Sequence, residues 1–186
     1  MPGCIRAERH FDARCRPCTH RCLWPSAKIV KTDSDRNAAA EKDWTGPLYL
    51  DASALAKLYL PEPGSDELDA AIQGRGDLMV SDLAVTEIVS AISRRRRERV
   101  LPAASCARLH RRILADIEGG LFVKNDLMPE THREAERLLM AVDDIGLRAA
   151  DAFHLALASL AGAAAIVTYH QKLAAAAIRI GLNSLP

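Results

Sequence analysis

Leu48-Tyr49-Leu50-Asp51-Ala52-Ser53-Ala54-Leu55 decides how the chain is read. Three large apolar residues follow Gly46-Pro47 and stop at an acid, the pattern of a short buried strand with a carboxylate at its C-terminal end. A helix over 53–60 is expected next, stopped by Pro61 and Pro63, which lack the amide hydrogen a helix interior needs. A strand that passes directly into a helix is the first half of a βαβ unit, and the alternation recurs downstream.

Ser65 reads as the N-cap of a helix burying Leu68, Ala71 and Ile72, ended by Gly74 and Gly76. Leu78-Met79-Val80 reads as a second strand, and Asp82–Arg97 as a helix with Val85, Ile88, Val89 and Ile92 as its apolar stripe. Ala103–Glu118 carries Cys106, Leu109, Ile113 and Ile117 at helical spacing and leads through Gly119-Gly120 to a strand at Leu121-Phe122-Val123. Helices are expected over 129–142 and 150–161, a buried strand over 165–168 and a last strand over 178–182. Short apolar strands alternating with helices predict an α/β fold, with a central, mostly parallel sheet of four to five strands and helices on both faces. Ligands of such sheets bind beyond the carboxyl ends of the strands, where strand order reverses.

The 186 residues have room for one ordinary domain, and 49% hydrophobic with 26% charged residues is the balance of a globular chain. That domain is expected over 47–186. Residues 1–46 show no sustained periodicity and read as a poorly ordered N-terminal extension. Four of the five cysteines lie in this extension, where Cys15, Cys18 and Cys22 with His10 and His20 are either a zinc site or incidental. The longest apolar stretch, 152–167, is too short and too interrupted to span a bilayer. No apolar secretory segment opens the chain, so a cytoplasmic location is expected. Residues 46–186 hold sixteen Lys/Arg against eighteen acids, so a nucleic-acid substrate would depend on local arginines and bound cations. Five aromatics in that stretch are too few for a base-stacking platform.

Three acids are the candidate site. Asp51 is either the N-cap of the helix that follows or a ligand, with Ser53 an alternative cap. Glu87 points away from the main apolar stripe of its helix, among Leu83, Ala84 and Ala91, small or apolar residues that let another element come close. Asp151 opens a helix that is apolar on every side, where an ionised carboxylate without a partner is very costly. Pairing with Arg148, capping and metal ligation all answer that cost. His154, one turn on, either orients a ligand or completes the core. A common site explains the three acids together: hard cations such as Mg2+ or Mn2+ prefer carboxylate oxygens and keep waters that leave room for a phosphate.

The segments Leu48-Tyr-Leu-Asp51-Ala-Ser53, Ser81-Asp-Leu-Ala-Val-Thr86-Glu87, Leu147-Arg-Ala-Ala-Asp151-Ala-Phe-His154 and Ile166-Val-Thr168-Tyr-His170 occur in an order and spacing that resemble the PIN-domain nucleases, especially the VapC-like toxins of bacterial toxin–antitoxin pairs. The resemblance implies an Mg2+- or Mn2+-dependent endoribonuclease, homodimeric and held inactive by a small cognate antitoxin. It also implies metal ligation by Asp51, Glu87 and Asp151, with Ser53 and Thr168 as supporting hydroxyls. One position departs from the family pattern: His170 stands where a fourth acid is often found, so a second cation should bind less tightly, or His170 itself should contact metal or phosphate. The run Arg94 to Arg99 extends the Glu87 helix, and Arg94 and Arg97 are candidate contacts for RNA or antitoxin. Two other readings stand beside this one. A haloacid-dehalogenase-type phosphatase would need a second Asp where Ser53 is; a non-catalytic PIN-like module that binds RNA or a partner would not need the missing acid.

Overall fold

A computed structural model describes residues 44–186; the zinc reading, and all but the last three residues of the expected extension, lie outside the described residues. Five short strands form one parallel sheet: β1 (Leu48–Leu50), β2 (Leu78–Ser81), β3 (Val123–Asn125), β4 (Ala165–Val167) and β5 (Asn183–Leu185). Their spatial order is β3-β2-β1-β4-β5. The chain builds outward from β1 through β2 to β3, then crosses back to β4 on the other side of β1. Strand order therefore reverses between β1 and β4.

Seven α-helices accompany the sheet among the described residues: α1 (Ala52–Tyr59), α2 (Ser65–Ile72), α3 (Asp82–Arg97), α4 (Ala103–Glu118), α5 (Pro129–Ala141), α6 (Ala149–Leu160) and α7 (Gln171–Arg179). Alternation along the strands divides the core in two. Leu48, Leu50, Val80, Ala165 and Val167 face one layer with Ala54 and Leu55 of α1, Leu68 of α2, Ile88 and Ile92 of α3 and Ile113 of α4. Tyr49 and Ile166 face the other, with Leu138 of α5, Leu155 of α6 and Leu173 of α7. Both faces of the sheet are covered, which is why its strands are apolar runs rather than alternating ones. Trp44 packs against the first layer, and the Arg75 guanidinium donates to the carbonyls of Trp44 and Gly46. Gly46 has φ +71°, and a Cβ there would stand 2.7 Å from that of Ala164, so only glycine brings the chain into β1 at this point.

The sheet of four to five strands is observed as five, all parallel, and α3 and α4 have the expected bounds. Three local expectations are corrected. Residues 178–182 are not a strand: they are the end of α7 and the turn at Gly181, with β5 one step later. Leu173, Ala176 and Ala177 at i, i+3, i+4 make α7 amphipathic. β3 begins at Val123, two residues later than Leu121, because Phe122 turns into the core as the chain approaches the sheet. Ser65 is not an N-cap; Gly64 holds that position in the left-handed region, and the Ser65 hydroxyl accepts from the Glu62 amide at 3.1 Å. Among the described residues no helix is long and apolar enough to cross a membrane.

Candidate active site

Asp51 stands immediately after β1, at the point where strand order reverses. Its backbone amide still donates to the Val167 carbonyl of β4 at 3.2 Å. The side chain is the N-cap of α1: Oδ1 accepts from the Ala54 amide at 2.8 Å and from the Ser53 hydroxyl at 2.7 Å. The alternative in which Ser53 does the capping is thereby excluded; Ser53 serves the carboxylate instead and also accepts from the Tyr169 amide at 2.8 Å. Oδ2 accepts from the Thr168 hydroxyl at 2.6 Å. Asp51 is only 3% exposed, and among the described residues no Lys or Arg pairs with it. Three neutral donations, from the Ala54 amide and the Ser53 and Thr168 hydroxyls, are too few to fill every lone pair of the carboxylate, so Oδ2 keeps room for another partner.

Asp151 is the third residue of α6, where its Oδ2 accepts from the Arg148 backbone amide at 3.0 Å. It thus serves the helix N-terminus from inside the first turn, and it meets the main chain of Arg148 rather than the guanidinium. Its Oδ1 lies 3.0 Å from Nδ1 of His170, a ring that is 46% exposed. The His170 amide donates to the Thr168 hydroxyl at 3.0 Å, so the turn after β4 touches Asp51 through Thr168 and Asp151 through His170.

Glu87 belongs to α3, and α6 covers its face: Oε2 lies 2.8 Å from Nε2 of His154. The other ring nitrogen of His154, Nδ1, lies 2.9 Å from the Tyr49 hydroxyl, which is 2.7 Å from the Ser81 hydroxyl. Ser81 in turn caps α3 by accepting from the Ala84 amide at 3.1 Å. Burial pushes the Tyr49 phenol far above its ordinary pKa, against the Ser81 hydrogen bond, and the negative charges of Asp51 and Glu87 add to the rise.

The structure therefore brings Asp51, Asp151, Ser53, Thr168 and His170 into one connected set, and it places Glu87 in a second one with His154, Tyr49 and Ser81. His154 serves Glu87, not the neighbouring Asp151. Arg94 and Arg97 are exposed at the far end of α3, where Arg97 donates to the Ser93 hydroxyl at 3.1 Å. Tyr49 and Ser81 were not legible as polar site residues, since one sits in an apolar strand and the other at a helix start. A tyrosine in a strand buried on both faces was the available signal, because its hydroxyl must find a partner.

The donors are hard carboxylate oxygens, with lone pairs left on Asp51 Oδ2, Asp151 Oδ1 and Glu87 Oε1. Among the described residues no three His, Cys, Asp or Glu side chains form a group that could hold a metal ion by themselves. Carboxylate oxygens are nonetheless the donors that a small hard divalent cation prefers, with water completing its coordination.

No curated protein matches the chain. Several solved structures do. VapC20 of Mycobacterium tuberculosis, described as a sarcin-ricin loop cleaving toxin, is 16% identical with a TM-score of 0.56, over 69% of this chain and 94% of its own. FitAcB of Neisseria gonorrhoeae is 17% identical with a TM-score of 0.60, over 75% and 96%. PAE2754 of Pyrobaculum aerophilum is 23% identical with a TM-score of 0.55, over 75% and 83%. At these identities the likeness is one of fold. The model of the PIN domain matches residues 48–179, the span that carries all five candidate acids and hydroxyls, and the chain belongs to the PIN domain family.

Proposed function

We propose that the chain is a divalent-metal-dependent endoribonuclease that hydrolyses RNA phosphodiester bonds, acting as the toxin of a toxin–antitoxin pair. The observation that carries this reading is the buried Asp51 carboxylate, without a cationic partner among the described residues, held at the reversal between β1 and β4 by Ser53, Ala54 and Thr168. Residues so placed in parallel sheets face ligands. Membership of the PIN family and the likeness to a toxin that cleaves a loop support it.

Asp51, Glu87 and Asp151 would hold Mg2+ or Mn2+. A bound divalent cation supplies charge against the phosphodiester and acidifies water near neutral pH. Ser53 and Thr168 keep Asp51 from turning away, and the Arg148 amide keeps Asp151 at the mouth of α6. Arg94 and Arg97 offer cationic contacts to RNA phosphate or to acidic residues of a small cognate antitoxin. A homodimer in the cytoplasm completes the proposal.

A second reading draws on His170. Its ring occupies Asp151 Oδ1, which favours a weakly active or purely RNA-binding module. Incubating the purified protein with RNA in Mg2+, in Mn2+ and in EDTA separates the two. Cleavage in either metal that stops in EDTA supports the nuclease; RNA retention without cleavage in both metals supports the binding module. Growth arrest on expression, relieved by co-expressing the neighbouring small gene product, tests the toxin role.

A further inference from the structure

We propose that His154 is a positioning residue for Glu87: clamped from behind by Tyr49 and Ser81, it donates from Nε2 to one carboxylate oxygen and leaves the other to face the site. The inference rests on the reading of Glu87 as a metal ligand and goes beyond it by naming what sets its geometry.

His154 is 3% exposed in a helix whose other buried residues are Asp151, Ala152, Leu155, Ala156, Leu157 and Ala158. An aliphatic side chain would fill that volume without polar cost. An imidazole needs partners for both nitrogens once buried, and here it has them, Tyr49 of β1 and Glu87 of α3. The directions follow from the chemistry of the ends. A carboxylate only accepts, so Nε2 carries the hydrogen that faces Glu87. In the neutral ring Nδ1 then accepts, and the Tyr49 hydroxyl donates to it at 2.9 Å. Ser81, which accepts from the Ala84 amide, has its own hydroxyl hydrogen left for the Tyr49 oxygen. Every donor from Ala84 through Ser81, Tyr49 and His154 thus points toward Glu87. The imidazole also meets the Tyr49 ring edge-on, at 5.8 Å between centroids and 62° between planes, which fixes its rotation.

The target of this chain is a glutamate that is 37% exposed, with three rotatable side-chain bonds to restrain. With Oε2 already bonded to His154, Oε1 is the oxygen with both lone pairs left for the site. Hydrogen-bonded partners of ligating carboxylates are worth about ten- to a hundredfold in metal affinity.

Two measurements on the full chain test this. Long-range 15N–1H spectra of His154 should show a hydrogen on Nε2; the tautomer with hydrogen on Nδ1 alone would overturn the proposal, whether or not the protein binds metal. Mn2+ affinity, read by electron paramagnetic resonance of the free ion, should fall about ten- to a hundredfold in His154→Leu and recover most of that in His154→Gln, whose amide N–H can replace Nε2. In a Glu87→Ala background the His154→Leu change should have no further effect. An equal loss in both backgrounds, or no loss in the first, would show that His154 only fills space. If His154→Leu does not fold, Tyr49→Phe is read in the same two backgrounds, with a several-fold loss expected only where Glu87 is present. A wild type that takes up no Mn2+ would refute the metal reading of the three acids, and the tautomer would still decide whether His154 holds Glu87.

Discussion

The Thr168 hydroxyl donates to Asp51 Oδ2 over 2.6 Å, joining residues 117 positions apart at the C-terminal ends of adjacent parallel strands. Both groups are buried, and the same Thr168 oxygen accepts from the His170 amide. One hydroxyl therefore ties the proposed metal-facing acid to the turn that carries His170.

Thr168→Val keeps the volume and the strand-compatible shape but removes both bonds, leaving a buried carboxylate oxygen and an amide without their partners. Stability should fall by about 2–3 kcal/mol, measured by urea unfolding. A change within about 0.5 kcal/mol would mean that water or Ser53 replaces the hydroxyl at no cost.

Asp51→Asn should separate activity from folding. The amide oxygen can still cap α1, since Asn is as good an N-cap as Asp, so the unfolding midpoint should move little. RNA cleavage should fall by at least about a hundredfold, because several kcal/mol of charge stabilisation depend on the carboxylate. Cleavage that persists in this variant contradicts the assignment of Asp51.

His170→Asp restores a fourth negative charge beside Asp151. Without metal the two carboxylates repel, so the metal-free protein should be less stable. With Mn2+ the affinity should rise by about tenfold or more, since another oxygen ligand and charge are added at short range. Calorimetric titration with Mn2+ reads both the affinity and the number of ions bound; an unchanged isotherm would place His170 outside the metal's reach.

Tyr59 gives the fold an alkaline limit. Burial, and then the Asp116 carboxylate that its hydroxyl meets at 3.0 Å, push its pKa well above the ordinary value of 10.0. The unfolded chain releases this proton near pH 10 while the native chain keeps it. The stabilisation is thus full below that pH and is lost as pH rises through it toward the folded value. Denaturant unfolding at pH 9 and pH 11 should show a drop for the wild type, and a smaller one for Tyr59→Phe. Equal drops would mean that other groups set the limit.

Legibility in the sequence followed burial. α3 and α4 have sixteen residues each and a repeating apolar face, so periodicity located both ends. The strands at the sheet edges were harder. β3 exposes Val123 and Lys124, and β5 buries only Leu185, so neither is an apolar run, and nearby apolar residues of a loop or helix end drew the eye instead. In the site, Asp51 and Asp151 announced themselves as acids in apolar surroundings. Their dual use was not readable, because Asp51 caps α1 while facing the strand reversal, and Asp151 serves the start of α6 while meeting His170. The link from Tyr49 to Glu87 spans three separate elements, and only the folded arrangement of β1, α3 and α6 brings it together.

Anomalous diffraction from crystals of the protein soaked in Mn2+ tests the proposed common site of the three acids most directly. A single strong peak is expected about 2.1 Å from a carboxylate oxygen of Asp51, with Glu87 and Asp151 as direct or water-mediated partners. No peak there, or manganese bound elsewhere and touching none of the three acids, would contradict it.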